Sequence, residues 1–492
     1  MYELLKSFAY LVFVLYALSS LWLLINGLMQ LHLLWHYKRG KKRAAAIQQM
    51  PAVLPFVSIQ IPVYNERYVI GRLLQSLAGL DYPKDRFELQ VLDDSTDDSQ
   101  GIIDAEVAWL QQQDIQVSVL RRKDRKGFKA GALQAGLPLC KGELIAIFDA
   151  DFTPPPNFLK RLITHFNNPK IGLVQARWGH INEYENALTR IQTFMLDTHF
   201  SIEQSGRYHA GYFINFCGTA GIWRKQCIEE AGGWDGSVLS EDLDLSYRAQ
   251  LKGWKLVYDQ DTEVPAELPA AIEAYKVQQF RWTKGTAQIF RKNLSLLLQT
   301  AMPLSKKIHG IFHLLSSFMF VALFFNALLT VPMLVFRNMY PEIEQLSRYT
   351  VVASLNLFVI TFFYYTGKRA LSKEPATFLR HYPLFLVVNM GMAAQNCCAV
   401  LQGLFSKKAV FVRTPKSNSN TQNVYLSQRI SWLTLFEIAL LLYYLGGVVL
   451  SIYFNDFFLM GFFFMVISGL AFIIFHSLAQ TKPMLQLKAR FS

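Results

Sequence analysis

A chain of 492 residues exceeds one ordinary soluble domain and has room for a catalytic domain beside a membrane region. Hydrophobic residues make up 52% and charged residues only 17%, so charge is scarce for a soluble protein. The net charge of +13 leaves nucleic acid, an anionic membrane surface and an acidic substrate as partners, and the placement of the charges decides among them.

Residues 8–36 are almost wholly apolar and long enough to cross ~30 Å of hydrocarbon as a helix. The run is too long for a signal-peptide core and has no convincing small-x-small cleavage site, so it reads as an uncleaved anchor within residues 1–40. Lys38, Arg39, Lys41, Lys42 and Arg43 follow at once, which predicts a cytosolic placement for what comes next. Residues 50–300 then alternate short β-rich runs with helical patterns. Strands are expected at Val57–Ile61, Phe87–Leu92, Val117–Leu120 and Leu144–Phe148, and helices at Val69–Leu80 and Gln100–Gln113. That rhythm predicts an α/β domain with a mostly parallel sheet, inserted between membrane segments.

From residue 301 to 480 the chain is apolar again, with spans expected at 309–336, 350–367, 432–454 and 457–477. The segment 384–404 is long enough to cross but carries Asn389, Gln395, Asn396 and Gln402. If it crosses, Lys407, Lys408, Arg413, Lys416 and Arg429 of the following loop, 405–430, fall outside, against the positive-inside tendency. Five spans and one interfacial helix at 384–404 are therefore expected. The basic residues then collar the membrane ends, which speaks for membrane lipids as partners and against nucleic acid. Cys140, Cys217, Cys227, Cys397 and Cys398 have no zinc-like spacing and are expected as reduced thiols.

Several polar clusters stand at or near the ends of predicted elements, where open parallel sheets bind ligands. Pro62–Glu66 follows the first strand and suits contact with a nucleobase and ribose through Tyr64 and Glu66; an ordinary strand-to-helix turn explains it as well. Asp93-Asp94 closes the next strand, where Asp94 can accept hydrogen bonds from a base or ribose, although the acidic run also suits helix capping. Asp149 and Asp151, at i and i+2 after an apolar strand, can meet one hard divalent cation, Mg²⁺ or Mn²⁺. Glu241-Asp242 opens a helical pattern, as a cap or as a general base. On a later helix, Gln278, Arg281 and Trp282 combine a diphosphate partner with an apolar face for a sugar ring, or mark a plain amphipathic helix. Lys126–Leu133, with Lys129, suits close approach to an anion. Phe216–Gly221, with Cys217 and Gly218, suits the wall of an acceptor groove or a tight packing turn.

In this order and spacing, Asp94, Asp149-x-Asp151, Glu241-Asp242 and Gln278-x-x-Arg281-Trp282 resemble the signature of the processive family 2 glycosyltransferases of the cellulose synthase superfamily. Glu241–Ala249, Lys252–Lys255 and Glu267–Pro269 are similar to the cellulose-synthase-like A and C branch and its bacterial relatives. Phe411–Lys416 resembles the family's gating-loop motif, with Arg413 departing at the family's Val position. The resemblance implies a GT-A fold and an inverting, metal-dependent hexosyltransferase that extends a β-linked polysaccharide, with translocation of the product left open. It implies UDP-glucose or GDP-mannose as donor and a glycan or lipid as acceptor, and it is compatible with a homo-oligomer. It makes Asp242 the base beside Glu241, and gives the metal to Asp149 and Asp151. It gives substrate to Tyr64, Glu66, Asp94, Lys129, Asp149, Cys217, Gly218, Gln278, Arg281, Trp282, Thr414 and Lys416. A non-processive ceramide or diacylglycerol glycosyltransferase is the alternative enzyme, and a membrane scaffold with an inactive domain the alternative class. A bacterial inner membrane is the expected location, a Golgi membrane the other.

Overall fold

A computed structural model describes residues 1–41, 49–371, 376–406 and 431–479. Seven strands form one sheet in the order β3-β2-β1-β4-β6-β5-β7. They are β1 (Val57–Val63), β2 (Phe87–Asp93), β3 (Gln116–Leu120), β4 (Leu144–Ile147), β5 (Ile171–His180), β6 (Gly221–Arg224) and β7 (Lys255–Ala266). β3, β2, β1 and β4 are parallel neighbours. β6 runs antiparallel between β4 and β5, and β7 pairs parallel with β5. The sheet is thus mixed, as the α/β expectation for the first four strands allows.

Strand alternation divides the core between two faces. In β1, Val57, Ile59, Ile61 and Val63 join one apolar cluster. In β4, Leu144 and Ala146 belong to that cluster, while Ile145 and Ile147 join a second one around Trp223 and Phe216. Ser58 and Gln60 of β1 are fully buried beside them. Both donate across the strands: Ser58 Oγ to Glu88 Oε1 at 2.6 Å and Gln60 Nε2 to Gln90 Oε1 at 2.8 Å.

Among the described residues, six helices are long and apolar enough to cross a membrane, and they mark an integral membrane protein. They are Tyr2–Lys41, Ser316–Met339, Pro341–Leu371, Ala376–Phe405, Trp432–Tyr453 and Met460–Ala479. The expected span at 309–336 begins later, because residues 304–314 form a separate helix, Leu304–Leu314. The segment 384–404 is part of the 30-residue helix Ala376–Phe405 and qualifies by length and composition, so the candidates number one more than the expected spans. Its apolar window is 67% buried, against 39% or less in the other five. Two of its polar residues meet the helix Ile272–Gln299: Gln395 Nε2 donates to the Lys276 carbonyl at 2.7 Å, and Lys284 Nζ lies 3.4 Å from Gln402 Oε1. All five cysteines are free thiols.

Candidate active site

A cleft of about 200 Å³ opens at the carboxyl ends of β1, β2 and β4. Tyr64, Glu66, Asp94, Lys129, Asp149, Asp151, Cys217, Gly218, Glu241, Asp242, Gln278, Arg281 and Trp282 all line it. Thr414 and Lys416, with the rest of residues 407–430, lie outside the described residues.

Two turns build one end of the cleft. Asn65, at φ 58°, accepts from the Thr96 backbone at 2.8 Å and donates its own N–H to Ser95 Oγ at 2.9 Å, which ties the loops after β1 and β2 together. Beside it, the Arg125 guanidinium sits 3.2 Å from the centroid of the Tyr64 ring. Asp94 accepts two bonds from Arg122, Nε at 2.9 Å and Nη2 at 2.5 Å. That bidentate pair orients the carboxylate and leaves its remaining lone pairs for a ligand.

The acidic part of the cleft is built around Lys129, from the helix Phe128–Gly136. Its ammonium donates to Asp149 Oδ1 at 2.5 Å and to the Gly218 carbonyl at 2.8 Å. Burial pushes Lys129 down, but the Asp149, Glu241 and Asp242 carboxylates more than offset that and hold it above its ordinary value. Gly218 has φ +85°, and a Cβ there would stand 3.1 Å from Asp242 Oδ2 and 3.4 Å from Lys129 Nζ. Glycine therefore keeps the space in front of Asp242 open. Glu241 and Asp242 occupy the first turn of the helix Glu241–Leu251, where the helix dipole favours negative charge, and Asp242 Oδ1 accepts from the Leu243 N–H at 2.8 Å. Burial nevertheless raises both carboxyls, Glu241 to about 7 with the Asp242 charge adding to the effect.

Gln278, Arg281 and Trp282 come from the helix Ile272–Gln299. It seats against the Glu241–Asp242 turn through Gly285, where a Cβ would meet Ser240 Oγ at 2.1 Å. Burial lowers Arg281 against the pull of Glu241, Asp149, Asp242 and Asp151, so the guanidinium faces the whole acidic set. Asp149 and Asp151 offer hard oxygen donors on one turn. Among the described residues no group of three or more His, Cys, Asp or Glu is placed to hold a metal by itself. The pair fits a cation that completes its shell with ligand phosphate oxygens and water, as Mg²⁺ and its kin do.

A second cavity of about 290 Å³ shares Leu196 and Trp282 with the cleft. The half-buried Glu203 lines it, 2.9 Å from His199 Nδ1 and 3.6 Å from Arg207 Nη2. Arg125, Trp178 and His180 also line the cleft and were not anticipated. Arg125 is adjacent to the basic run noticed at Lys126. Trp178 and His180 stand on β5, a strand absent from the sequence expectation.

A mixed sheet carries carboxylates at its strand ends with a lysine between them, beside apolar helices long enough to cross a membrane. Residues 55–285 match the family model described as "Glycosyltransferase like family 2". Curated relatives that the chain resembles include proteins named as glucomannan 4-beta-mannosyltransferases. One from Oryza sativa subsp. japonica, described as probable, is 45% identical over 54% of this chain and 49% of its own. One from Cyamopsis tetragonoloba is 43% identical over 52% and 50%, and one from Arabidopsis thaliana 42% over 54% and 50%. The chain spans about half the length of these curated relatives. A solved mannosyltransferase from Pyrobaculum calidifontis in complex with GDP-Man and Mn²⁺ shares the fold: TM-score 0.54, 18% identity, 81% of this chain and 100% of that one.

Proposed function

We propose that this protein is an inverting hexosyltransferase that extends a β-linked polysaccharide from a nucleotide sugar, GDP-mannose before UDP-glucose. The observation that carries the reading is the Asp242 carboxylate facing the open space at Gly218, with the Lys129–Asp149 pair beside it and Trp282 in the wall of the same cleft. Asp242 takes the proton of the acceptor hydroxyl, whose oxygen forms the new bond to the anomeric carbon. The bond from that carbon to the diphosphate oxygen breaks, and its electron pair leaves with the diphosphate. Arg281 and Lys129 stabilise the charge that grows there. Tyr64, Arg125 and Asp94 hold the nucleoside, and Trp282 lies against the terminal acceptor sugar, whose chain continues into the second cavity. Asp149 and Asp151 would hold Mg²⁺ or Mn²⁺ with the diphosphate, and such an ion neutralises leaving-group charge. The relatives' names favour mannose, and the ligand of the archaeal structure agrees with them.

Lys38, Arg39 and Lys41 at the end of the first helix support a cytosolic face for the sheet domain. The bacterial inner membrane expected from the sequence finds no support in the relatives named, which are plant proteins. Radiolabelled GDP-mannose and UDP-glucose, each offered to purified protein with Mg²⁺ or Mn²⁺, test the reading. A water-phase or insoluble polymer that lengthens with time is expected. Label confined to the lipid extract would replace the polysaccharide with a glycolipid product.

A further inference from the structure

Three buried polar atoms at one end of the cleft lack hydrogen-bond partners. They are Trp178 Nε1 and both ring nitrogens of His180. The His180 side chain keeps 3% of its surface exposed, and both residues line the cleft. Trp223 Nε1 and Trp234 Nε1 are also unpartnered, but they line neither cavity. A buried polar group left unsatisfied costs about 1–3 kcal/mol, so a concentration of them on a cleft wall calls for an external partner. Asp197 Oδ1 stands 3.9 Å from His180 Nε2, too far for a hydrogen bond. Burial, then the Arg177 charge, pushes His180 down to about 3, so the ring is neutral and offers one N–H and one lone pair. A sugar hydroxyl, both donor and acceptor, is the complement of that pair.

Position relates this group to Trp282 and the second cavity. Asp149, Asp242 and Gly218 gather around Lys129. The Trp178 ring lies instead 6.5 Å from Trp282, and Asp197 follows Leu196 in the chain. Trp282 and Leu196 are the two residues shared with the second cavity. Phe152 and Phe200 pack on Trp178, each 5.2 Å away, and fix its ring.

We infer that Trp178 and His180 form an acceptor subsite that hydrogen-bonds the hydroxyls of a hexopyranose unit in the glycan chain lying against Trp282. This rests on the sugar-transfer reading and adds binding residues to it.

The test is calorimetric titration of full-length protein in detergent with β-1,4-linked mannotetraose, with cellotetraose and with GDP-mannose. His180→Phe keeps a ring of similar size and removes both hydrogen-bonding atoms; His180→Asn restores a donor and an acceptor. His180→Phe is expected to weaken tetrasaccharide binding about tenfold, the worth of one or two buried hydrogen bonds. His180→Asn recovers part of that loss, and GDP-mannose affinity stays within about twofold. If His180→Phe does not yield folded protein, Trp178→Phe, which removes only the indole N–H, is read the same way. Equal tetrasaccharide affinity in wild type and variant, loss of donor affinity alongside it, or no tetrasaccharide binding by the wild type would each overturn the subsite. Turnover of the two donors by the wild type is scored separately. Its absence counts against the sugar-transfer reading, while the binding comparison still decides the subsite.

Discussion

Glu241 and Asp242 are neighbours that both resist ionisation, and the proposed chemistry needs one of them ionised. Burial raises both, and Glu241 reaches about 7. Transfer is therefore expected to fall as the pH drops through about 7, with an apparent pKa that belongs to the pair. Glu241→Gln removes one of two adjacent charges and shifts the acid limb to lower pH; a limb that stays in place in a pH–rate profile would separate Glu241 from the base. Asp242→Asn is expected to abolish transfer and keep nucleotide-sugar binding, measured by titration calorimetry. Loss of donor binding in that variant would remove Asp242 from the role of base. Most residues of this cleft were legible in the sequence, because polar side chains such as Asp94, Asp149 and Glu241 stand at the ends of apolar runs. Trp178, His180 and Arg125 were not. Their importance comes from neighbours distant in sequence, such as Tyr64 under Arg125 and Trp282 beside Trp178.

At the scale of elements, β1 to β4 were readable as short apolar runs closed by polar turns. β5 to β7 were not: β5 carries Gln175 and Arg177 among its apolar residues, and β7 mixes Lys255, Asp259, Asp261 and Glu263 into its length at the sheet's edge. The helix Ile272–Gln299 joins this sheet domain to the membrane helices. Lys276 Nζ, 3.0 Å from Glu437 Oε1 and 3.4 Å from Ser477 Oγ, is 4% exposed, and Glu437 is fully buried. Glu437→Ala leaves an uncompensated buried ammonium and is expected to cost about 3–5 kcal/mol, read as a lowered melting temperature in detergent. The double replacement Lys276→Met with Glu437→Leu recovers most of that loss, since apolar residues of similar volume replace buried pairs well. Gly285 gives a sharper test. Glycine to alanine inside a helix ordinarily stabilises by about 1 kcal/mol. Here the added methyl meets Ser240 Oγ at 2.1 Å, so Gly285→Ala displaces the Glu241–Asp242 turn. A large drop in transfer rate is expected, whereas Gly446→Ala, with nothing within 4 Å, leaves the rate unchanged.

For the whole molecule, contacts at the helix ends bear on how often the chain crosses the membrane. One end gathers the N-terminus and two interhelical turns: Lys6 pairs with Glu342 at 2.7 Å, and Arg337 with Asp456 at 3.1 Å. The other end carries the sheet domain, which Glu437 meets near the start of Trp432–Tyr453. That helix thus runs from the catalytic end to the far end. Ala376–Phe405 differs, because both its ends touch the catalytic side. Phe378 packs 5.8 Å from Phe194, and the Leu404 carbonyl accepts from Arg291 Nη1 at 2.6 Å. A crossing helix leaves the domain at one end, so this contact pattern supports five crossings with Ala376–Phe405 lying along the interface. It also agrees with the positive-inside count for Lys407, Lys408, Arg413, Lys416 and Arg429. Single cysteines in a cysteine-free background test it in sealed vesicles with a membrane-impermeant maleimide. Ser417→Cys is expected to label from the same side as Asp114→Cys on the catalytic domain, and Asn455→Cys from the opposite side. Six crossings would exchange Ser417→Cys and Asn455→Cys, and would put the gating-like residues Thr414 and Lys416 across the membrane from Asp242.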